Sequence, residues 1–597
     1  MGQRHQAFAI ARVRPHGSPP HSPPKYRCIA AYHHQWCYGR LPLLATYRLL
    51  TLVRQKENAE IVRAEIRNID GKYGHYQEQP EIINVPCPFT AYLLGVSWDV
   101  DLTVAEDAYS SGVTFHHSLL RASMGSWDGD NNDGISVIDV TDPGNPAYCF
   151  ALSTSTPLSG EQYMRAYYPV PTQSEDPEYS RQIEEIVLKI IALLDGEKMV
   201  TLDMLAEAWP DEYQSEAIER PTGDITDSTS TSTEPAEEAP IPSLAALTFP
   251  QAFDYALEKG DTIENILWLP GKLADTKSLL IAKSPFPDNA VQLLVKVLTE
   301  MKETTSVDLT DFALSSEQAV RVASQLPGLE SLNLSFNAQI TTDTVREILT
   351  AAPGLKRLVL MGCTSVTPED LYDLLRKEPQ LFYKLEALMH PALLCAAEPP
   401  PFPIAFTFMT NNETIRSMCG CSLALFTPAG VVDALAEVLR SIWSTPFSIS
   451  SVDAGLLFEA VPTSRPRAPD VPWGARSVVA VPALSVNVFR AAEPGWAFLF
   501  QTNMFKQNKN WCFLRLVPTA RKSEEAAQDL PWVAGGWEIH DVRSFVRITT
   551  AEGRPAPSED AVQELEELLR HTPESGPQLH LMDREVLNRF MQSRPMF

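Results

Sequence analysis

The chain has few cysteines, no long uncharged apolar run and no acidic residues near its start. Its 597 residues include nine thinly spread cysteines, with no secretory h-region before them, so we expect reduced thiols and not a disulfide framework. The most apolar window, 478–488, is interrupted by Pro482 and is too short to cross a bilayer. Together these absences predict a cytoplasmic or nuclear protein that does not insert into membranes.

Acidic residues outnumber basic ones, and the net charge is −26. Nucleic acids and anionic membranes would repel such a chain at long range, so we expect neither as a partner. The first 56 residues contain no Asp or Glu but nine Lys and Arg residues. We expect this stretch to fold with its basic face against the acidic remainder.

Motifs for catalysis and metal binding are also missing. The chain contains no His-Glu-x-x-His, no Cys-x-x-Cys and no glycine-rich phosphate loop, and Gly95–Asp99 lacks the second glycine of a nucleophile elbow. Cys419 and Cys421 are one residue too close for the common redox motif. We therefore predict no catalytic residues, no metal ligands and no cofactor.

Histidines and an acidic loop keep an alternative open, an enzyme or metal-binding protein with its site in the N-terminal region. Each of the pairs His33-His34 and His116-His117 supplies one ligand to a given side, because neighbours on a strand point to opposite faces. The loop beginning at Asp128 has the ligand spacing of a calcium loop. It carries Asp133 where that loop needs glycine and Asp139 where it needs glutamate, so we predict a turn.

Leucines recur at regular intervals in the middle of the chain. Leu329–Leu334 is followed after 26 residues by Leu355–Leu360 and after another 30 by Leu385–His390, and Thr305–Leu309 fits the same frame upstream. This spacing is typical of a solenoid, whose strand-turn-helix units bury their apolar faces against their neighbours.

One unit carries a more specific pattern, formed by Leu355–Leu360, Cys363, Val366-Thr367 and Leu371. It resembles the cysteine-containing class of leucine-rich repeats found in substrate receptors of ubiquitin ligases. Asn337 takes the position of Cys363 in the preceding unit, which the superfamily permits because either side chain can hydrogen-bond the turn. The resemblance covers about 260–395 and implies a protein-binding solenoid.

Residues that flank the leucines on each strand would line the concave face of this solenoid. These positions change from polar to apolar along the array, and an apolar patch with an arginine at its edge suits a protein contact. The predicted partner-binding residues are Asp308, Asn333, Arg357, Val359, Met361 and Met389. The alternative is that the C-terminal domain caps this patch.

These observations predict a non-catalytic scaffold or adaptor that binds a protein partner through the concave face. A version of this function as a ubiquitin-ligase substrate receptor would also need an F-box. Leu41–Leu44 is only faintly similar to part of one. The identity of the partner and the oligomeric state stay open.

The expected fold class is α+β with several domains. We place an N-terminal α+β domain at 1–215, a flexible acidic Ser/Thr/Pro linker at 216–245, the leucine-rich-repeat solenoid at 246–395 and a C-terminal α+β domain at 396–597. The beginning of the chain, Met1–Gln6 with Ala31–Gly39, resembles a family of uncharacterised fungal proteins over about 150 residues. That resemblance implies no activity.

Periodicity predicts several elements inside these domains. In the N-terminal domain they are a hairpin of Phe8–Val13 and Tyr26–Tyr32, a strand at Ile135–Val140, and helices at Ser180–Leu194 and from Thr201. The sequence Val137–Pro143 resembles a propeller repeat, and as a single copy it implies a local hairpin. In the C-terminal domain they are helices at Ala429–Trp443, Ser558–Arg570 and Asp583–Met591 and strands around Ser477–Val481, Ala497–Gln501, Trp511–Leu516 and Trp537–Ile548.

Overall fold

In the residues that the computed structural model describes, three separate β-sheets have helices packed around them, which makes this a mixed α/β protein. The structure describes residues 4–19, 21–35, 37, 39–75, 78–97, 118–152, 156–167, 177–213, 244–259, 271–394, 406–412, 417–423, 426–444, 480–483, 495–502, 509–516, 537–570 and 579–592. Residues 216–243 of the predicted linker and the pair His116-His117 lie outside these residues.

The first sheet has six strands in the order β3-β2-β1-β4-β5-β6. They are β1 (Arg4–Val13), β2 (Lys25–Gln35), β3 (Ser118–Leu120), β4 (Ile135–Asp139), β5 (Ala147–Ala151) and β6 (Lys198–Met199). The predicted hairpin is confirmed, since β1 and β2 pair antiparallel. The predicted strand at Ile135 is also confirmed; β4 runs parallel to β1 and antiparallel to β5.

Six helices accompany this sheet: α1 (Leu41–Arg54), α2 (Lys56–Ile69), α3 (Pro88–Val96), α4 (Gly160–Tyr167), α5 (Pro177–Leu194) and α6 (Leu202–Ala208). Alternating residues of β1 enter two different apolar cores, Ala9 and Ala11 in one and Phe8 and Ile10 in the other. The sheet is therefore covered on both faces. Helix α5 begins three residues before the predicted start at Ser180.

Ion pairs tie the basic start of the chain to later acidic residues. Arg14 pairs with Asp70 at 2.7 Å, and Arg4 and Arg54 pair with Asp130 and Glu197. The expectation that this stretch folds against acidic partners is confirmed at these three arginines.

The middle of the chain starts with α7 (Leu244–Lys259), α8 (Leu273–Ile281) and α9 (Val291–Glu300) and continues as four strand-helix units. The units are β7 (Ser306–Asp308) with α10 (Ser316–Gln325), β8 (Ser331–Asn333) with α11 (Thr342–Ala351), β9 (Arg357–Val359) with α12 (Pro368–Lys377), and β10 (Ala387–Met389) with α13 (Pro391–Leu394). The four strands form one parallel sheet in the order β10-β9-β8-β7.

The central residues of these strands, Val307, Leu332, Leu358 and Leu388, are in register and belong to the core that the helices share. The first and last residue of each strand therefore point away from that core. These are the positions that were predicted above to line a concave face, and we call the side that they form the outer face. Ser315 and Thr367 cap α10 and α12, because each side chain accepts a hydrogen bond from a backbone N–H of the first turn of its helix.

The third sheet has the order β13-β12-β11-β14-β15-β16, and β17 also pairs with β15. Its elements are β11 (Phe406–Asn412), β12 (Ser417–Leu423), α14 (Pro428–Ser444), β13 (Ala480–Ala483), β14 (Gly495–Thr502), β15 (Lys509–Leu516), β16 (Trp537–His540), α15 (Val542–Ala551), α16 (Glu559–Arg570), β17 (Leu579–Leu581) and α17 (Arg584–Gln592). The sequence did not predict β11 or β12.

One predicted strand in this region is wrong. The segment Trp537–Ile548 remains a strand only to His540, because Asp541 accepts a hydrogen bond from the Ser544 backbone N–H at 2.8 Å and starts α15. Val542, Phe545 and Thr549 then recur at helical spacing and are buried.

None of the helices in the described part of the chain combines the length and the apolar character that crossing a membrane requires.

Candidate functional site

The turns that follow β8 and β9 are held by Asn337 and Cys363. The Asn337 amide nitrogen donates to the carbonyls of Leu309, Leu334 and Ser335, and its oxygen accepts from the Leu314 N–H at 3.0 Å. The Cys363 thiol donates to the Leu334 carbonyl at 3.1 Å. Both side chains are buried, so each links its own turn to the preceding unit through hydrogen bonds that water does not replace.

Exposure of the outer face falls strand by strand. On β7 both outward residues, Ser306 and Asp308, are exposed, and on β8 their equivalents Ser331 and Asn333 are half-buried. On β9 Arg357 is half-buried while Val359 is buried, and on β10 both outward residues are buried. The polar end of the face is therefore open, and the apolar end is covered.

The N-terminal domain covers the apolar end. Val359, Met361 and Met389 are 5%, 1% and 0% exposed and belong to the same apolar core as Phe89 and Leu93 of α3. Helix α13 also contacts α3, and Phe336 packs against the same core. Three of the six predicted partner-binding residues are thus not open to a separate partner, and the domain that covers them is the N-terminal one, not the C-terminal one considered above.

Asp308 and Asn333 repeat the same local structure at the open end. Asp308 Oδ1 accepts from the backbone N–H and the hydroxyl of Thr310 at 3.0 and 2.6 Å, and Asn333 Oδ1 accepts from Ser335 in the same way, at 3.0 and 2.6 Å. The sequence signal for this turn was the repeat Asp-Leu-Thr followed by Asn-Leu-Ser. In the third unit Val359 takes this position, which is where the face becomes apolar.

Arg357 is the third predicted residue at the open end. The strand-helix units contain three other arginines, and each of them pairs with a carboxylate: Arg321, Arg346 and Arg376. Within the described ranges, Arg357 has no ion pair and its side chain makes no hydrogen bond. Its guanidinium carries five donors, so this half-buried position has capacity for an external acceptor.

A salt bridge connects the N-terminal domain to the open end of the outer face. Arg67 near the end of α2 lies 2.8 Å from Asp311, which follows β7. Both side chains are partly exposed, so we expect this pair to contribute little stability. It places a helix of the N-terminal domain beside the polar residues of β7.

The described histidines of the possible catalytic or metal site pack against other side chains of the domain. His34 is buried and stacks on Tyr32 with ring centres 5.0 Å apart. His5, which the sequence did not single out, lies 3.2 Å from the Ser136 hydroxyl, and burial lowers its pKa to about 3. Both His5 and Ser136 are fully buried, so a substrate could reach them only by displacing core side chains.

Thiols and carboxylates in the described residues also lack the arrangement of a reactive site. Desolvation raises the pKa of six buried cysteines, Cys28, Cys37, Cys87, Cys149, Cys363 and Cys512, which disfavours the nucleophilic thiolate. No three His, Cys, Asp or Glu side chains in the part that the structure describes come together to hold a metal ion.

The Asp128 loop is a turn closed by its own side chains, as predicted. Asp128 accepts from the Gly125 N–H at 2.9 Å, and Asn132 and Asp133 both accept from the Arg4 N–H, at 2.9 and 2.8 Å. The Asn132 and Asp133 oxygens bind a backbone donor of β1 and so fix the loop to that strand.

Comparison with known protein families, with characterised proteins and with solved structures found no match to this chain.

Proposed function

We propose that this protein is a non-catalytic scaffold or adaptor that binds a protein partner through the open end of the outer face. In this proposal its four strand-helix units are leucine-rich repeats of the cysteine-containing type. The hydrogen bonds of Asn337 and Cys363 support that assignment, because each side chain donates to the leucine carbonyl at the equivalent position of the preceding unit, Leu309 for Asn337 and Leu334 for Cys363.

The observation that carries the proposal is the division of the outer face. Its apolar end already makes a protein contact, with the N-terminal domain over Val359, Met361 and Met389. Its polar end exposes Ser306 and Asp308 on a rigid sheet, and rigid elements position binding residues better than loops do. The partner-binding set therefore becomes Ser306, Asp308, Ser331, Asn333 and Arg357.

The ubiquitin-ligase version of the proposal needs a segment other than Leu41–Leu44 to bind the ligase. Leu43 is fully buried in the core of the N-terminal domain, so this stretch offers little surface to another protein. A cytoplasmic or nuclear location is part of the same proposal, and the six cysteines that form no disulfide within the described residues support it.

Site-specific photo-crosslinking tests the proposal. A photoreactive amino acid replaces Ser331 in the full chain, and a control chain carries it at Glu347, which is exposed on α11. We expect a defined protein to crosslink from position 331 and not from position 347. Equal crosslinking from both positions, or none from 331, would contradict a partner at the open end.

A further inference from the structure

The open end of the outer face carries opposite charges at its two sides. Arg357 starts β9, and Asp308 ends β7 two strands away in the same sheet. Neighbouring strands lie about 4.8 Å apart and each residue advances a strand by about 3.3 Å, so two strands and two residues separate the backbone positions by about 12 Å. Between them lie Ser331 and Asn333 of β8.

Neither charge is neutralised by an opposite charge within the described ranges. Asp308 binds Thr310 through a single oxygen, Oδ1, and remains exposed. Arg357 has no carboxylate within ion-pair distance among the described residues. In contrast, the charges that flank the face at Lys356 and Glu330 pair with each other at 2.9 Å.

We propose that this site binds a protein segment that presents a carboxylate to Arg357 and a cationic side chain to Asp308. The inference rests on the proposed function and names the chemistry of its partner. The amide of Asn333 and the hydroxyl of Ser331 lie between the charges and can donate to the same carboxylate. A helix comes close to this spacing, because residues seven apart lie on one face about 10.5 Å apart and their side chains span the remaining distance.

The N-terminal domain supplies an internal precedent for a cation from a helix. Arg67 of α2 pairs with Asp311 beside the open end, three residues after Asp308. An acidic residue after β7 and a basic residue on a helix already meet here. Complementary charges of this kind select a partner and its orientation more than they raise affinity.

Two substitutions remove one charge each while leaving the fold intact. Asp308→Asn keeps the Oδ1 acceptor that Thr310 uses, and Arg357→Gln removes the guanidinium at a position that has no ion pair in the described part of the chain. The controls are Glu347→Gln on α11 and Arg547→Gln on α15, both exposed and away from the outer face.

The test selects a random library of helical peptides, about 15 residues long or four turns, on the immobilised full chain. We expect enriched peptides to carry an acidic and a basic residue seven positions apart. Each should lose about 3- to 5-fold in affinity for Asp308→Asn and for Arg357→Gln, as exposed charge pairs typically do, and nothing for the two controls.

Failure to enrich any peptide, or binders that are indifferent to both substitutions, would overturn the charge pairing. The photo-crosslinking result at position 331 would be unaffected by that failure, so the proposed function and its partner chemistry are judged separately.

Discussion

The guanidinium of Arg554 lies 4.0 Å from the centre of the Tyr383 ring. Arg554 follows α15 in the C-terminal domain, and Tyr383 precedes β10 in the last strand-helix unit. The guanidinium also lies 3.9 Å from the centre of the Phe426 ring, and its Nη1 donates to the Phe426 carbonyl at 3.0 Å. This cation–π contact therefore joins the units to the C-terminal domain.

Removing the Tyr383 ring should loosen this junction. We expect Tyr383→Ala to lower the local opening free energy of α15 by about 1–2 kcal/mol, since the contact is largely desolvated. Tyr383→Phe keeps the ring face and should have little effect. Hydrogen exchange of the α15 amides measures both, and equal exchange in the two variants would show that the ring contributes nothing to the junction.

Met361 should anchor the N-terminal domain on the units. Met361→Ala leaves a cavity between α3 and the outer face, and truncations of this kind cost about 2–5 kcal/mol. We expect faster proteolysis within α3 and unchanged proteolysis for Ser306→Ala, which alters an exposed residue of the same face. Unchanged cleavage of α3 in Met361→Ala would mean that Met361 does not hold the N-terminal domain on the units.

Local patterns predicted the units well but not what covers them. The leucine interval predicts the strands, because this signal lies within the elements that it specifies. Met361 and Phe89 are far apart in sequence, so no local pattern reveals that they share a core. The error at Trp537–Ile548 has a local cause, since its apolar residues also fit a strand and Asp541 was not recognised as a cap.

Asn337 should be the more sensitive of the two turn residues. Asn337→Ala removes the acceptor of the Leu314 N–H and one donor from each of three carbonyls, of which the Leu334 carbonyl keeps the Cys363 thiol. Each buried group left unsatisfied costs about 1–3 kcal/mol. Asn337→Cys restores one donor, like Cys363 in the next unit, so its unfolding midpoint in urea should lie between those of wild type and Asn337→Ala. If the Asn337→Cys variant is no more stable than Asn337→Ala, then a cysteine thiol cannot replace the asparagine amide in this turn, and Asn337 and Cys363 do not have equivalent roles.

Glu65 should make the stability of the N-terminal domain fall as pH rises towards neutrality. Its buried carboxylate accepts from the Phe89 and Thr90 N–H groups at 2.7 and 3.0 Å and from the Thr90 hydroxyl at 2.8 Å, at the start of α3. Burial raises its pKa from 4.5 to about 7, although these hydrogen bonds act in the opposite direction. Between these two pH values the folded chain holds a proton that the unfolded chain has released.

The stabilisation from that proton is complete below pH 4.5 and is lost as pH rises to 7, a change on the order of 3 kcal/mol. Glu65→Gln cannot ionise and keeps an acceptor for α3, so its free energy of unfolding should rise relative to wild type as pH increases from 5 to 8. Glu60→Gln, an exposed change on the same helix, should not show this trend.

Burial lowers the pKa of His5 to about 3 and of His390 to about 4, so these histidines favour unfolding as pH falls below 6.5. Both are present in every variant and cancel in the comparison. A pH-independent difference between Glu65→Gln and wild type in urea unfolding would therefore exclude ionisation of Glu65 in this range.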